Sequence, residues 1–243
     1  MKSVRTLVTL AALLAAGSTA FAQTAISQVK GMSFPVTLSS PGSYKLTSNL
    51  VVPANSHGIV ISSPNVTLDL NGFTISGPVS CASAGVCNMA QAGFNGISAS
   101  VPNTVIRNGT VKGFQGAGIQ IAGSSAVEEM LVTENAGVGL VGGNQLQGTT
   151  LVNRVRSTLN KSFGVYLFSS IVNNSMATAN GQGGYYLNTS SLIDSAASGN
   201  IGTGVFGGSH LMVRGTRADS NTSADFGGNF VSGGANMSDW TLF

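Results

Sequence analysis

The sequence is poor in charge. Eleven Lys and Arg and eight Asp and Glu are scattered over 243 residues, and neither sign forms a run. Nothing in it would neutralise a phosphate backbone or an anionic bilayer, so neither nucleic acid nor a membrane surface is an expected partner. Cysteine occurs only at Cys81 and Cys87, with no His or acidic neighbour to complete a metal site, and no cofactor motif accompanies them. No apolar run reaches the roughly 18 residues of a membrane-spanning helix. Apolar residues recurring every 3.6 positions are missing too, which excludes a helical domain.

Lys2 and Arg5 precede an apolar run from Leu7 to Ala16, and Ala20-Phe21-Ala22 has the small-x-small form of a cleavage site. This is the pattern of a bacterial secretory signal peptide over residues 1–22, cut before Gln23. The mature chain, residues 23–243, is expected to be secreted or periplasmic. Removing Lys2 and Arg5 lowers its net charge from +3 to +1. In an oxidising compartment Cys81 and Cys87 are expected to pair as a disulfide.

What the chain has in abundance is glycine, 33 residues of it, and much of that is periodic. A glycine followed by a large apolar residue returns at Gly58-Ile59, Gly96-Ile97, Gly118-Ile119, Gly139-Leu140, Gly164-Val165, Gly184-Tyr185 and Gly204-Val205, with a degenerate Asp225-Phe226. The intervals are 38, 22, 21, 25, 20, 20 and 21 residues, and Asn135, Asn160, Asn180, Asn200 and Asn221 stand four positions earlier. Such a period belongs to a solenoid in which each repeat is one coil stacked on the next. Within each repeat three short β-type segments are separated by Gly, Asn and Ser turns. The fold class expected is therefore all-β, a parallel β-helix of about eight coils with three strands per coil, roughly 40 Å long at 4.8 Å per rung.

Two stretches carry a family resemblance. Pro-Gly-Ser-Tyr-Lys-Leu-Thr-Ser-Asn-Leu followed by Asn-Val-Thr-Leu-Asp-Leu-Asn-Gly-Phe-Thr-Ile-Ser-Gly, within residues 41–77, resembles bacterial secreted right-handed parallel β-helix repeat proteins of the pectin-lyase-like fold group. Asn108-Gly109-Thr110-Val111 resembles them as well. The resemblance implies the fold, not a reaction, because that group holds lyases, hydrolases, epimerases and proteins without known activity. The chain lacks the Asp-Pro-His motif of mannuronan epimerases, the Asn-Thr-Asp and Gly-His-Gly pairs of polygalacturonase-type hydrolases, and the Trp-Ile-Asp-His signature of pectate lyases.

The register sorts side chains by face. Positions one and three after the glycine point inward; positions two and four point outward. The outer face of the first strand then reads Val60, Ser98, Gln120, Val141, Tyr166, Tyr186 and Phe206, then Ser62, Ser100, Ala122, Gly143, Phe168, Asn188 and Gly208. It holds no acid, base or cation, and no catalytic residue is assigned. It does hold an aromatic stripe, Tyr166, Phe168, Tyr186 and Phe206, the candidate ligand-binding residues. Either the stripe contacts a ligand, or it stiffens the sheet or is covered by Phe230, Trp240 and Phe243 of the tail. A second column places Glu129 one coil from Arg154 at the bend between second and third strands, within ion-pair reach. His57 and His210 fall in different columns.

Three further expectations follow. An insertion over residues 78–94, containing both cysteines, should project over the outer face of the first strand. The tail over residues 229–243 should cap the C-terminal end, and Gln23 to Pro35 the other. The asparagines should form a ladder at a turn, helped by their tolerance of left-handed backbone. The function these features favour is association with an extracellular or envelope polysaccharide by binding. A polysaccharide lyase or related enzyme, and a structural or adhesive surface protein, are the alternatives.

Overall fold

The computed structural model describes residues 23–143, 148–239 and 241–243. The signal-peptide reading over residues 1–22 and Trp240 lie outside them. The described chain is a parallel β-helix of about ten turns, its strands paired in register with their equivalents one coil away. Ile59–Ile61 pairs with Ile97–Ala99, and that strand with Ile119–Ile121. The series continues through Leu140–Gly142, Phe163–Phe168 and Gly183–Asn188. Two turns precede the glycine column and so escape a count based on it. Val36–Leu38 pairs with Ile59–Ile61, and Thr24–Ile26 pairs with Tyr44 to Leu46.

The interior follows from the alternation. Ile59, Ile97, Ile119, Leu140, Val165, Tyr185 and Val205 are buried on one strand, and Ser157, Ala177, Ala197 and Ala218 fill the narrower side of the third. Tyr185 is the exception in kind. Its hydroxyl is buried without a hydrogen bond. Burial pushes its pKa far above the ordinary tyrosine value. Tyr185→Phe removes the orphaned oxygen and keeps the ring, and is expected to raise stability by about 1–3 kcal/mol. The tyrosine ionises only after unfolding, so its contribution is fully present below pH ~10 and falls as pH rises above that. Denaturant titrations at pH 7 and pH 11 should find a smaller alkaline loss of stability in the variant. An equal alkaline loss in the two proteins would contradict this.

The asparagine ladder is the spine of the turn between third and first strands. Asn135, Asn160, Asn180 and Asn200 are fully buried. Each donates its side-chain amide to the Oδ1 of the next asparagine, at 2.9, 3.1, 3.0 and 2.8 Å up to Asn221. Each Oδ1 also accepts a backbone N–H from the coil before. The ladder residues themselves do not take the left-handed conformation. That role falls on the residue before them, Glu134, Leu159, Ala179 and Ser220, with φ of 53–57°, and on Gly199 at 62°.

The glycine column has a matching cause. A methyl added to Gly118, Gly139, Gly164, Gly184 or Gly204 would lie 2.4–3.0 Å from Nδ2 of Asn135, Asn160, Asn180, Asn200 or Asn221 respectively. Glycine is required because the ladder amide occupies the space of its side chain. In the last coil the column carries Asp225, whose carboxylate accepts from Asn221 Nδ2 at 3.0 Å and from Ser238 Oγ at 2.8 Å. It terminates the ladder.

The insertion does not lie where the spacing places it. It forms a hairpin of Cys81–Ser83 and Val86–Cys87, joined by the Cys81–Cys87 disulfide, and runs along the turns between third and first strands. Val79 donates to Gly113 O and Ala92 to Gln115 O, both at 2.8 Å. Val79, Cys81, Cys87 and Met89 pack with Ala136. The tip at Gly85 rests on Gly181 and reaches Ile201, several coils further on. These turns are built from Gly113, Gly116, Ala136, Gly137 and Gly181, so a second backbone can approach closely. The hairpin therefore edges the first-strand face instead of roofing it.

At the C-terminal end, Met237–Ser238 pairs with Arg217 and Ala218 and then antiparallel with Thr241–Leu242. Phe226, Phe230 and Phe243 cluster with ring centroids 5.1–6.4 Å apart.

Candidate functional site

The first-strand face gathers its aromatics over consecutive coils. Tyr166 pairs in register with Tyr186, and Tyr186 with Phe206. Parallel in-register strands leave such rings no separation but the rung spacing, so they stack. The Tyr166 and Tyr186 centroids are 4.4 Å apart with planes 6° from parallel, and Tyr186 and Phe206 are 5.4 Å apart at 16°. Phe168 meets Tyr166 edge-on at 5.5 Å and 63°.

One member was not singled out from the sequence. Phe163, one position before Gly164, stands 5.8 Å from both tyrosines at 62° and 67°. Its ring lies over Gly183, where an added Cβ would come within 2.8 Å of it. The available signal was an aromatic beside a glycine in the same column of the next coil. Phe163, Gln182, Tyr186, Thr203 and Phe206 line a small, mostly apolar cleft of about 140 Å³.

The geometry decides how the stripe meets solvent. Tyr186 stacks both faces on its neighbours, and Tyr166 and Phe206 one face each, so the stack turns mainly ring edges to solvent. Phe163 and Phe168, turned by more than 60°, direct their faces elsewhere. All five rings are half-buried. The tail aromatics Phe230 and Phe243 pack on Phe226, not on the stripe. Partial burial, and then the neighbouring Tyr186, raise the Tyr166 pKa. Its phenol stays protonated near neutral pH and offers no base.

Charge lies on other faces. On the outer face of the second strand, Lys45, Asp69, Arg107 and Glu128 alternate in sign in one column, with Arg107 3.3 Å from Asp69. Glu129 and Arg154 do form an ion pair at the bend, but both side chains are more than half exposed. Such a pair contributes about 0–1 kcal/mol. Both residues have positive φ, as do Asn71, Asn108, Asn174 and Asp194 in the same column, so the column serves the bend. His57 Nδ1 accepts the Asn95 N–H at 3.0 Å, and its ring packs on Phe94. Among the described residues no group of three His, Cys, Asp or Glu converges as metal ligands, and no helix is long and apolar enough to cross a membrane.

The chain matches no family model, and no curated protein matches it significantly in sequence. Solved structures do resemble it in fold. The enzymatically active domain of bacteriophage CBA120 tailspike protein 2 superposes with a TM-score of 0.62 at 15% identity, over 86% of this chain and 38% of that one. Pectate lyase Pel9A gives 0.60 at 13%, over 88% and 67%. The periplasmic alginate epimerase AlgG gives 0.56 at 13%, over 81% and 51%. The chain thus spans about half the length of the epimerase and less of the tailspike domain. Identities this low establish the shared parallel β-helix and leave chemistry to the residues present.

Proposed function

We propose that this is an exported protein that associates with extracellular or envelope polysaccharide by non-catalytic binding through Tyr166, Phe168, Tyr186 and Phe206, with Phe163 beside them. The observation that carries the reading is a half-exposed aromatic ladder on a face whose outward positions hold no charged side chain. Aromatic edges with tyrosine hydroxyls combine apolar area and a polar handle, which suits sugar rings. Abstraction of a proton beside a uronate, or hydrolysis by paired carboxylates, needs groups this face does not carry. The parallel β-helix shared with polysaccharide-acting proteins supports a polysaccharide as the partner, and the disulfide with the N-terminal pattern supports export.

A panel of neutral and uronic-acid polysaccharides separates binding from turnover. The expected result is retarded migration in gels containing at least one glycan, with no unsaturated products and no loss of viscosity after long incubation. Product formation would overturn the non-catalytic reading. Absence of retardation throughout would overturn association itself.

A further inference from the structure

We infer that the surface around Gly208 and His210 is a saccharide subsite for an uncharged sugar unit, continuous with the aromatic stripe; this rests on the proposed polysaccharide association. The strand Thr203–Arg214 loses register with its neighbour between Gly207 and Leu211. A break of this kind re-aims side chains and opens the ladder locally. Here it places Gly208, Ser209 and His210 at the corner between first and second strands.

Gly208 leaves a notch lined by polar atoms. A Cβ at this position would lie 2.9 Å from Asn188 Nδ2 and 3.2 Å from the Tyr186 hydroxyl. The Asn188 amide is held in that orientation, because its Oδ1 accepts from Ser209 Oγ at 2.6 Å and from Thr189 Oγ1 at 3.1 Å. A donor nitrogen and a phenol that both donates and accepts thus flank the bare Cα of Gly208, which carries no side chain to cover them. A sugar hydroxyl, itself donor and acceptor, satisfies both.

Beyond the notch the surface continues as two clefts that share His210, of about 420 and 380 Å³, within the range of ligand sites. Ile171, Met212 and Val231 give them an apolar floor, and serine and threonine hydroxyls give them polar rims. Neither cleft is lined by Asp, Glu, Lys or Arg. An apolar floor with hydroxyl and amide rims, and no fixed charge, fits an uncharged sugar better than a uronate.

The test is affinity electrophoresis on neutral polysaccharides (glucan, xylan, galactan and mannan) beside alginate and polygalacturonate. Wild type, Gly208→Ala and Asn188→Asp are compared, with thermal melting as the folding control. Gly208 has no positive φ, so alanine fills the notch without backbone strain. Aspartate keeps the acceptor for Ser209 and Thr189 and deletes the donor. The expected result is retention by a neutral glycan, weakened about tenfold in both variants. Equal retention of all three proteins overturns the notch and leaves polysaccharide association standing. Retention by the acidic polymers alone overturns the uncharged class. Retention by none removes this inference together with the function it rests on.

Discussion

Asn180→Ala is expected to lower the unfolding free energy by about 3–5 kcal/mol, a large share of the 5–15 kcal/mol that holds a typical domain together. The Asn180 carboxamide is fully buried and fully used. Its Nδ2 donates to the Ser157 carbonyl at 3.1 Å and to Asn200 Oδ1 at 3.0 Å, while its Oδ1 accepts from the backbone N–H and the amide of Asn160. Truncation leaves the Asn160 N–H and the Ser157 carbonyl buried without these partners, and each such loss costs about 1–3 kcal/mol. Asn173, half-buried and outside the ladder, offers the control, with an expected change within about 0.5 kcal/mol. Chemical denaturation of the two variants decides it, and a comparable small effect for both would show that the ladder is incidental.

The same contact predicts coupling with the glycine column. Gly164→Ala alone should cost about 1–3 kcal/mol, because its methyl meets Asn180 Nδ2 at 2.6 Å and the Gly184 carbonyl at 2.9 Å. In the Asn180→Ala background the tighter of these contacts is gone. The second substitution should then cost at least ~1 kcal/mol less than it does alone. Additive effects would mean that glycine is required here for some other reason.

The coil, its register and its core were legible in the sequence because a solenoid repeats one local problem. Gly139, Gly164 and Gly184 recur since each faces the amide of an asparagine about 16–21 residues further on, and that geometry leaves the same mark every turn. Asp225 reads as a flaw in the pattern until the structure places it at the ladder's end. Features made by contacts between non-equivalent parts were not legible. The hairpin over residues 78–94 follows a track of glycine and alanine turns that exists only once the coils are stacked. The two N-terminal turns lack the glycine mark, and Gly58 and Gly96, which carry it, face a neighbouring carbonyl and Phe114 and no ladder asparagine.

The site was legible by position and not by posture. Alternation put Tyr166, Tyr186 and Phe206 on one outward column, and the register agrees. Whether rings offer faces or edges depends on side-chain torsions that a sequence does not specify. Stacking at 4.4 Å answers it: most faces are shared inside the ladder, and a ligand meets mainly edges and the turned rings of Phe163 and Phe168. The corner at Gly208 belongs to the same lesson, since glycine and asparagine in sequence give no sign that two polar atoms converge between them.

Replacing Tyr166 and Tyr186 together by alanine is the second large effect expected. It removes both hydroxyls, the stacked pair and the support of Phe163 and Phe168, while the inward neighbours Val165, Leu167, Tyr185 and Leu187 stay buried. Stability should fall by about 0.5–1.5 kcal/mol beyond the lost area, the usual worth of an aromatic pair, and the fold should persist. Glycan affinity should fall at least about tenfold, or ~1.4 kcal/mol. Affinity electrophoresis of wild type and the double variant, in gels bearing the polysaccharide that retards wild type most, is the direct measurement. Binding through the aromatic face predicts that the double variant migrates as it does in a gel without glycan. Equal retardation of two folded proteins would place binding elsewhere and contradict the account.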